Sequence, residues 1–378
     1  MTIKPLIRNN IALNANPEGC RQNILNQIEE LKDLELITET PLTVLIIGGS
    51  SGYGLASRIA LTTKANAFTY NVSYEREPKG KSSGSAGYYN NLYFQEIAKS
   101  MGNEAIDLNA DAFSHETKDK VINDFKTHNK KIDLVVYSVA SGIRIDPDTQ
   151  EKYQSALKPI GNEFSGYLVD IAKEKLELST LEPATDEEIA NTVKVMGGED
   201  YLLWAKALQE ADVLNQDCKF VTYTYIGSEL TYPIYKDGTI GHAKRDLEKT
   251  NKEINKILSP LNGTAIISAS KAVVTKASVF IPTMGLYASA LFKVMKEKGT
   301  HESIVQHKYR LFKDMIYGNK AIIDEDGIYR LDHLEMDCDT QEKTKELLAH
   351  LDVENFQDSV DFDTFKIDFL TLNGFIDN

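Results

Sequence analysis

The stretch Thr43-Val44-Leu45-Ile46-Ile47-Gly48-Gly49-Ser50-Ser51-Gly52-Tyr53-Gly54 decides the fold. Its first five residues are short, apolar and mostly β-branched, the pattern of a strand buried on both faces of a parallel sheet. The glycines that follow allow a tight turn, and Leu55 to Lys64 then reads as a helix. A glycine-rich turn between a buried strand and a helix makes a phosphate cradle, because free backbone amides and the positive end of the helix dipole together hold a pyrophosphate. A tight β-to-α turn without a ligand is the competing reading of the same residues.

Working outward, the alternation continues. Ala67 to Val72 is a strand, Tyr88 to Ser100 a helix, Ala105 to Leu108 a strand, Ser114 to Thr127 a helix and Ile132 to Tyr137 a strand. Upstream, Ile24, Ile28, Leu31 and Leu34 have helical spacing within residues 18–36. Such alternation predicts an α/β fold with a doubly wound parallel sheet of the Rossmann kind. After Tyr137 the rhythm breaks until the strand Lys219 to Ile226, so residues 142–218 are read as a substrate-covering insertion with helical segments around 185 to 212. A helix from Ile240 to Ile257, a strand Thr264 to Ser268, a helix from about Ser270 and a small hairpin from Ala321 to Leu331 follow. Residues 1–378 are expected to form one enlarged domain, with residues 340–378 docked as a C-terminal helix and loop.

Composition narrows the function classes. The 378 residues include 42 Lys and Arg against 56 Asp and Glu, a formal charge of −14 that repels phosphate backbones and anionic lipid surfaces. Nucleic acid is therefore excluded as a partner, and an anionic ligand needs local donors. Cys20, Cys218 and Cys338 are scattered and fit a reducing cytoplasm. The N-terminus has no signal-peptide apolar core, and the uncharged run Ala277 to Phe292 contains Pro282 and is too short to span a bilayer, so no stable membrane insertion is expected. No HExxH motif or Cys/His cluster suggests a metal, and no G-x-S-x-G elbow suggests a hydrolase.

Glu75 follows the second strand about 20 residues beyond the glycines, where a carboxylate binds adenosine ribose hydroxyls and repels the 2′-phosphate of NADP. This favours NADH. Tyr235 and Lys244 flank a glycine-bearing loop, TYPIYKDGTIGHAK, that can bring the two together if the Tyr lies on the loop and the Lys on the first turns of the helix; a packing tyrosine and a solvated helix lysine fit the spacing equally well.

The G-x3-G-x-G spacing resembles that of the short-chain dehydrogenase/reductases. More specifically, the chain resembles the NADH-dependent trans-2-enoyl-CoA reductases and V-type enoyl-acyl-carrier-protein reductases, which share an enlarged short-chain fold and a Tyr-x8-Lys pair. The resemblance runs through IGGSSGYGLASRI, GSAGYYN, SALKPIG, TVKVMGGEDYLLW, YTYIGSELTYPIYKDGTIGHAK and LFKVMKEKGTHE. It implies an NADH site lined by Gly48, Gly49, Ser50, Ser51, Gly52, Tyr53, Tyr74, Glu75, Asp111, Ala112, Val139 and Ala140, closed over by Val273, Val274 and Thr275. It further implies that Tyr235 donates the proton, Lys244 binds the cofactor and Tyr225 touches the acyl thioester. The implied substrate is an enoyl-CoA or enoyl-acyl-carrier protein of fatty acid synthesis, and the implied assembly a monomer or weak homodimer. Tyr88, Asn16 and Ser141-Gly142-Ile143 depart from the family pattern at positions that bear on acyl-chain preference. A carbonyl reductase of ordinary short-chain type and a non-catalytic NADH-binding protein are the alternatives.

Overall fold

A computed structural model describes residues 3–80, 82–276 and 278–376; Ala277, the first residue of the uncharged run, thus lies outside the described residues. After an opening helix α1 (Pro17–Leu31), strands β1 (Thr43–Ile47), β2 (Phe68–Ser73), β3 (Ala105–Asn109) and β4 (Ile132–Tyr137) alternate with helices α2 (Gly52–Lys64), α3 (Ala86–Ser100) and α4 (His115–Thr127). Two antiparallel hairpins come next, β5 (Ile143–Ile145) with β6 (Lys152–Gln154) and β7 (Phe164–Asp170) with β8 (Lys175–Leu181). Helices α5 (Asp186–Met196) and α6 (Glu199–Glu210) lead into β9 (Leu214–Thr224), α7 (Thr239–Leu258) and β10 (Thr264–Ala269). The chain ends with α8 (Met284–Glu297), α9 (Ile304–Arg310), β11 (Tyr329–Arg330), α10 (Cys338–Ala349) and α11 (Phe362–Thr371).

The central sheet has seven strands in the order β3-β2-β1-β4-β9-β10-β11, all paired in parallel. Alternation along β1 explains why its whole run is apolar: Leu45 and Ile47 join a core with Trp204 and Phe220 on one face, while Val44 and Ile46 join Leu61, Val221 and Phe312 on the other. Ile47 is in register with both Val72 and Tyr137, so the loops after β1, β2 and β4 start at one level. Chain order reverses between β1 and β4, and this crevice at the carboxyl ends is where open α/β sheets bind ligands.

Three local expectations change. The insertion is only half helical, because residues 143–181 form the two hairpins, and Val169 and Ile171 of the second pack into the same core as Phe292, Phe365 and Phe369. The helix expected from Ser270 does not begin there: residues 270–275 run without helix, a 3-10 turn covers Ser278–Phe280, and Pro282 delays α8 to Met284. The hairpin at Ala321 to Leu331 survives as a single Ile323–Tyr329 bridge, but Tyr329 and Arg330 also pair with Ser268 and Ala269 and so become the seventh strand. Among the described residues no helix is long and apolar enough to cross a membrane.

Candidate active site

The cradle is shaped by backbone proximity. A Cβ on Gly48, whose φ is +90°, would stand 2.4 Å from the Ser138 carbonyl oxygen, and one on Gly54 would stand 2.1 Å from the Gly48 carbonyl oxygen. Neither position admits a side chain, so glycine here brings β1, β4 and the start of α2 together. The Gly49 amide donates to Asn71 Oδ1 at 2.8 Å, and Asn71 Nδ2 donates to Asp107 at 2.8 Å. Asp107 in turn receives a two-pronged contact from the fully buried Arg58, at 2.7 and 3.0 Å. A buried, doubly hydrogen-bonded ion pair thus braces the turn from below.

Glu75 follows β2 beside this turn. Its Oε1 accepts from Ser50 Oγ and its Oε2 from Ser85 Oγ, both at 2.5 Å, while its backbone amide donates to Asn109. The carboxylate is held in place before any ligand arrives. Across the crevice, the Ala112 carbonyl accepts from Lys118 Nζ at 3.0 Å and from Trp204 Nε1 at 3.1 Å. Lys118 also pairs at 2.8 Å with Asp200, whose other oxygen takes the Tyr137 hydroxyl. The α6 half of the insertion therefore supports the Asp111-Ala112 loop from beneath instead of roofing the site.

The second cluster forms where β9 ends. A short helical turn, Tyr232–Tyr235, follows Thr231, whose hydroxyl bonds the Ser228 backbone, and Gly238 starts α7, which presents Lys244 one turn and a half later. Lys244 Nζ donates to the Tyr223 carbonyl at 3.1 Å. Burial lowers its pKa to about 8, with Glu248 opposing. The Tyr225 and Tyr235 rings meet edge to face with centroids 4.7 Å apart. Burial first, then the charge of Glu335, pushes the Tyr235 phenol above its ordinary range. The loop thus sets both Tyr235 and Lys244 on the lining of one cavity.

Both clusters open into one cavity of about 760 Å³. Gly48, Ser50, Ser51, Gly52, Tyr53, Tyr74, Glu75, Asp111, Ala112, Val139, Ala140, Tyr225, Tyr235, Lys244, Val273 and Thr275 all line it. Two residues expected at the site do not. Gly49 is turned to Asn71, and Val274 packs into the core with Val169, Val279 and Leu286. The segment bearing Val273 is pinned on both sides: Tyr53 Oη donates to the Lys271 carbonyl at 2.6 Å, and the Ala272 amide to Glu335 at 2.5 Å. Further apolar lining comes from Ile143, Ile145, Leu157, Met196, Ile281 and Met284, of which Leu157, Ile281 and Met284 pack in one cluster with Tyr225 and Tyr235. Ile143 was singled out in the sequence as a position bearing on acyl-chain preference, but the hairpin that carries it with Ile145 was missed, although their alternation around Arg144 is a strand signal.

This chain matches a family model described as the trans-2-enoyl-CoA reductase catalytic region over residues 82–317, and one for that enzyme's NAD(P)H binding domain over residues 2–80. It belongs to the trans-2-enoyl-CoA reductase family. A trans-2-enoyl-CoA reductase [NADH] of Clostridium perfringens is 46% identical over 99% of the chain and 96% of its own length. An enoyl-[acyl-carrier-protein] reductase [NADH] of Idiomarina loihiensis is 45% identical over 99% of the chain and 96% of its own length. The crystal structure of the Clostridium acetobutulicum trans-2-enoyl-CoA reductase in complex with NADH matches with a TM-score of 0.96, at 42% identity over 99% of the chain and 95% of its own.

Residues 323–377 match a third model, described as an enoyl reductase FAD binding domain. The residues of this reductase do not fit a flavin dinucleotide there. The segment is mainly short helices whose Phe356, Phe362, Phe365 and Phe369 pack in a core, and Gly374 abuts Asn16 and Cys20 with no room for a ligand. It contributes only Leu372 to the large cavity, and Phe369 and Asn373 to a second of about 270 Å³, below the usual size of a ligand pocket.

Proposed function

We propose that this protein reduces the C2=C3 double bond of a trans-2-enoyl thioester with NADH, and that the 760 Å³ cavity is where it does so. The observation that carries this reading is the joining, in one cavity, of a glycine cradle with its anchored Glu75 and a Tyr235–Lys244 pair beside an apolar wall. NADH, when bound, supplies a hydride to C3 of the substrate. Gly48, Ser50, Ser51 and the start of α2 hold its pyrophosphate through amides and the helix dipole. Glu75 would take the adenosine ribose, and Tyr74, Asp111, Ala112, Val139 and Ala140 would complete the cofactor site in the same cavity.

Charge then develops on the thioester oxygen of the enolate, and Tyr235 is the preorganised donor to it. Lys244 binds the nicotinamide ribose, and its positive charge lowers the cost of a developing tyrosinate. Tyr225 lies beside Tyr235 and contacts the thioester. The apolar wall of Ile281, Met284 and Leu157 takes the acyl chain and excludes water from the enolate until C2 is protonated.

The test is NADH oxidation by the purified protein with crotonyl-CoA and, separately, crotonyl-acyl-carrier protein. Saturation of the double bond with either supports the reading, and the ratio of the two kcat/KM values assigns the carrier. No oxidation with either refutes it.

A further inference from the structure

Glu335 belongs to neither the cradle nor the Tyr235–Lys244 pair. It is fully buried, directly after the 3-10 turn Leu331–Leu334. Its Oε1 accepts from Tyr225 Oη at 3.0 Å and from Tyr287 Oη at 2.8 Å, and its Oε2 accepts from the Ala272 amide at 2.5 Å. One carboxylate thereby ties the end of β9, helix α8 and the segment along the cavity to each other. Tyr225 in turn packs against Tyr235.

A phenol has a single proton, and an ionised carboxylate can only accept hydrogen bonds. While Glu335 is ionised, the Tyr225 proton is committed to it and Tyr225 turns only lone pairs toward the cavity. A thioester oxygen, itself an acceptor, gains nothing from them. A protonated Glu335 can donate to Tyr225 Oη, which frees the phenol proton for the thioester oxygen and for the enolate that follows.

We propose that Glu335 is a positioning residue that sets the hydrogen-bond polarity of Tyr225, holding its proton away from the substrate when ionised and releasing it toward the thioester oxygen when protonated. The proposal rests on the reductase reading above. No covalent bond in the substrate changes; one proton from solvent binds to Glu335 and the Tyr225 hydroxyl proton reorients. Glu335 is poised for this, because burial raises its pKa to about 7 against the lowering effects of the Ala272 amide and the Tyr287 hydroxyl. The other groups that bear on it are Asp332 on its own turn, Lys271 beside Ala272, Tyr53 from α2 and Tyr235 from the catalytic loop. Gln341 of α10 binds the Glu335 carbonyl and the Tyr287 hydroxyl, so it fixes the turn without adding charge.

Glu335→Gln imitates the protonated form toward Tyr225: its amide oxygen can take the Ala272 amide while its NH2 donates to Tyr225, and Tyr287, whose proton the NH2 cannot accept, must turn that proton elsewhere. With saturating NADH and varied crotonyl-CoA, the variant-to-wild-type ratio of kcat/KM should stand near one at about pH 6 and rise about tenfold or more by about pH 9, as expected when a lost oxyanion donor is restored. A ratio constant across pH overturns the proposal, since a merely structural glutamate would shift both ends alike. In a Tyr225→Phe background the same ratio should be flat, and a ratio that still rises also overturns it. Should Glu335→Gln not fold, Tyr225→Phe alone must lose the fall near neutral pH, and its persistence counts against the idea. Infrared difference spectra follow Glu335 directly and need no turnover: the titration of its carboxylic acid carbonyl band should move to higher pH in Tyr225→Phe, which deprives the carboxylate of a donor. An unmoved band refutes the coupling even if the wild type proved inactive on both thioesters, a result that would separately refute the reductase reading.

Discussion

Met284→Ala tests the acyl wall most sharply, because its neighbour Leu286 provides a matched control. Both are buried residues of α8, 3% and 5% exposed, but Met284 lines the large cavity whereas Leu286 packs with Val169 and Phe292 in the core. Truncating Met284 opens cavity volume that about two further methylenes of an acyl chain can fill. Each buried methylene contributes about 0.8 kcal/mol, so the gain is at most about 1.6 kcal/mol, or roughly fifteenfold in relative kcat/KM. Imperfect filling brings the expected shift between crotonyl-CoA and octenoyl-CoA to about five- to fifteenfold in favour of the longer chain. Leu286→Ala should instead destabilise the protein by about 2–5 kcal/mol, read by chemical denaturation, and leave the chain-length ratio unchanged. If Met284→Ala lowered only stability, or if Leu286→Ala shifted the ratio as much, the assignment of this wall would be wrong.

Tyr235→Phe should lower kcat by about 10²-fold or more while NADH binding, followed by fluorescence, is retained; near-normal turnover removes Tyr235 from the chemistry. Lys244 carries its charge below about pH 8 and loses it as pH rises through that value, so KM for NADH should increase on the alkaline side. In Lys244→Ala, KM should be high at every pH, and a surviving alkaline inflection would place the titration elsewhere, Lys271 being the other buried amine lowered to about 8. Glu75→Ala should narrow the preference for NADH over NADPH by removing both a ribose acceptor and a negative charge facing the 2′-phosphate, and an unchanged kcat/KM ratio would exclude Glu75 as its origin.

What could be read in the sequence was what local chemistry dictates. The run Thr43–Ile47 ending in glycines announces a buried parallel strand and a cradle, because burial on both faces and tight backbone approach leave few residue types acceptable. The Tyr235–Lys244 spacing was legible but not decisive, since only the short helical turn at Tyr232 and the start of α7 after Gly238 bring both side chains to the same cavity. The helix expected from Ser270 failed on a different ground. Tyr53, His307 and Glu335 all bond the backbone of Lys271 and Ala272, and these tertiary partners hold a non-helical segment where composition favours a helix. Val274 was misplaced for the same reason: Ala272, Val273, Thr275 and Lys276 line the cavity, whereas Val274 turns into the core with Val169, Val279 and Leu286.

Glu335 shows where single-sequence reading stops. In the chain it is one acid among many in an acidic C-terminal region, with no motif around it. Its partners Tyr225, Ala272 and Tyr287 are remote in sequence, and only the fold gathers them. A carboxylate is tolerated in that position because three donors satisfy it, and removing any one would leave a buried charge short of a partner. The C-terminal segment is therefore more than a docked tail. Its phenylalanines anchor it to α8, and α8 places Met284 on the acyl wall and Tyr287 on Glu335. The same packing that stabilises the end of the chain thus orients the groups behind Tyr225 and Tyr235, which is how a buried acid remote in sequence from the glycine cradle is tied to the wall of the same cavity.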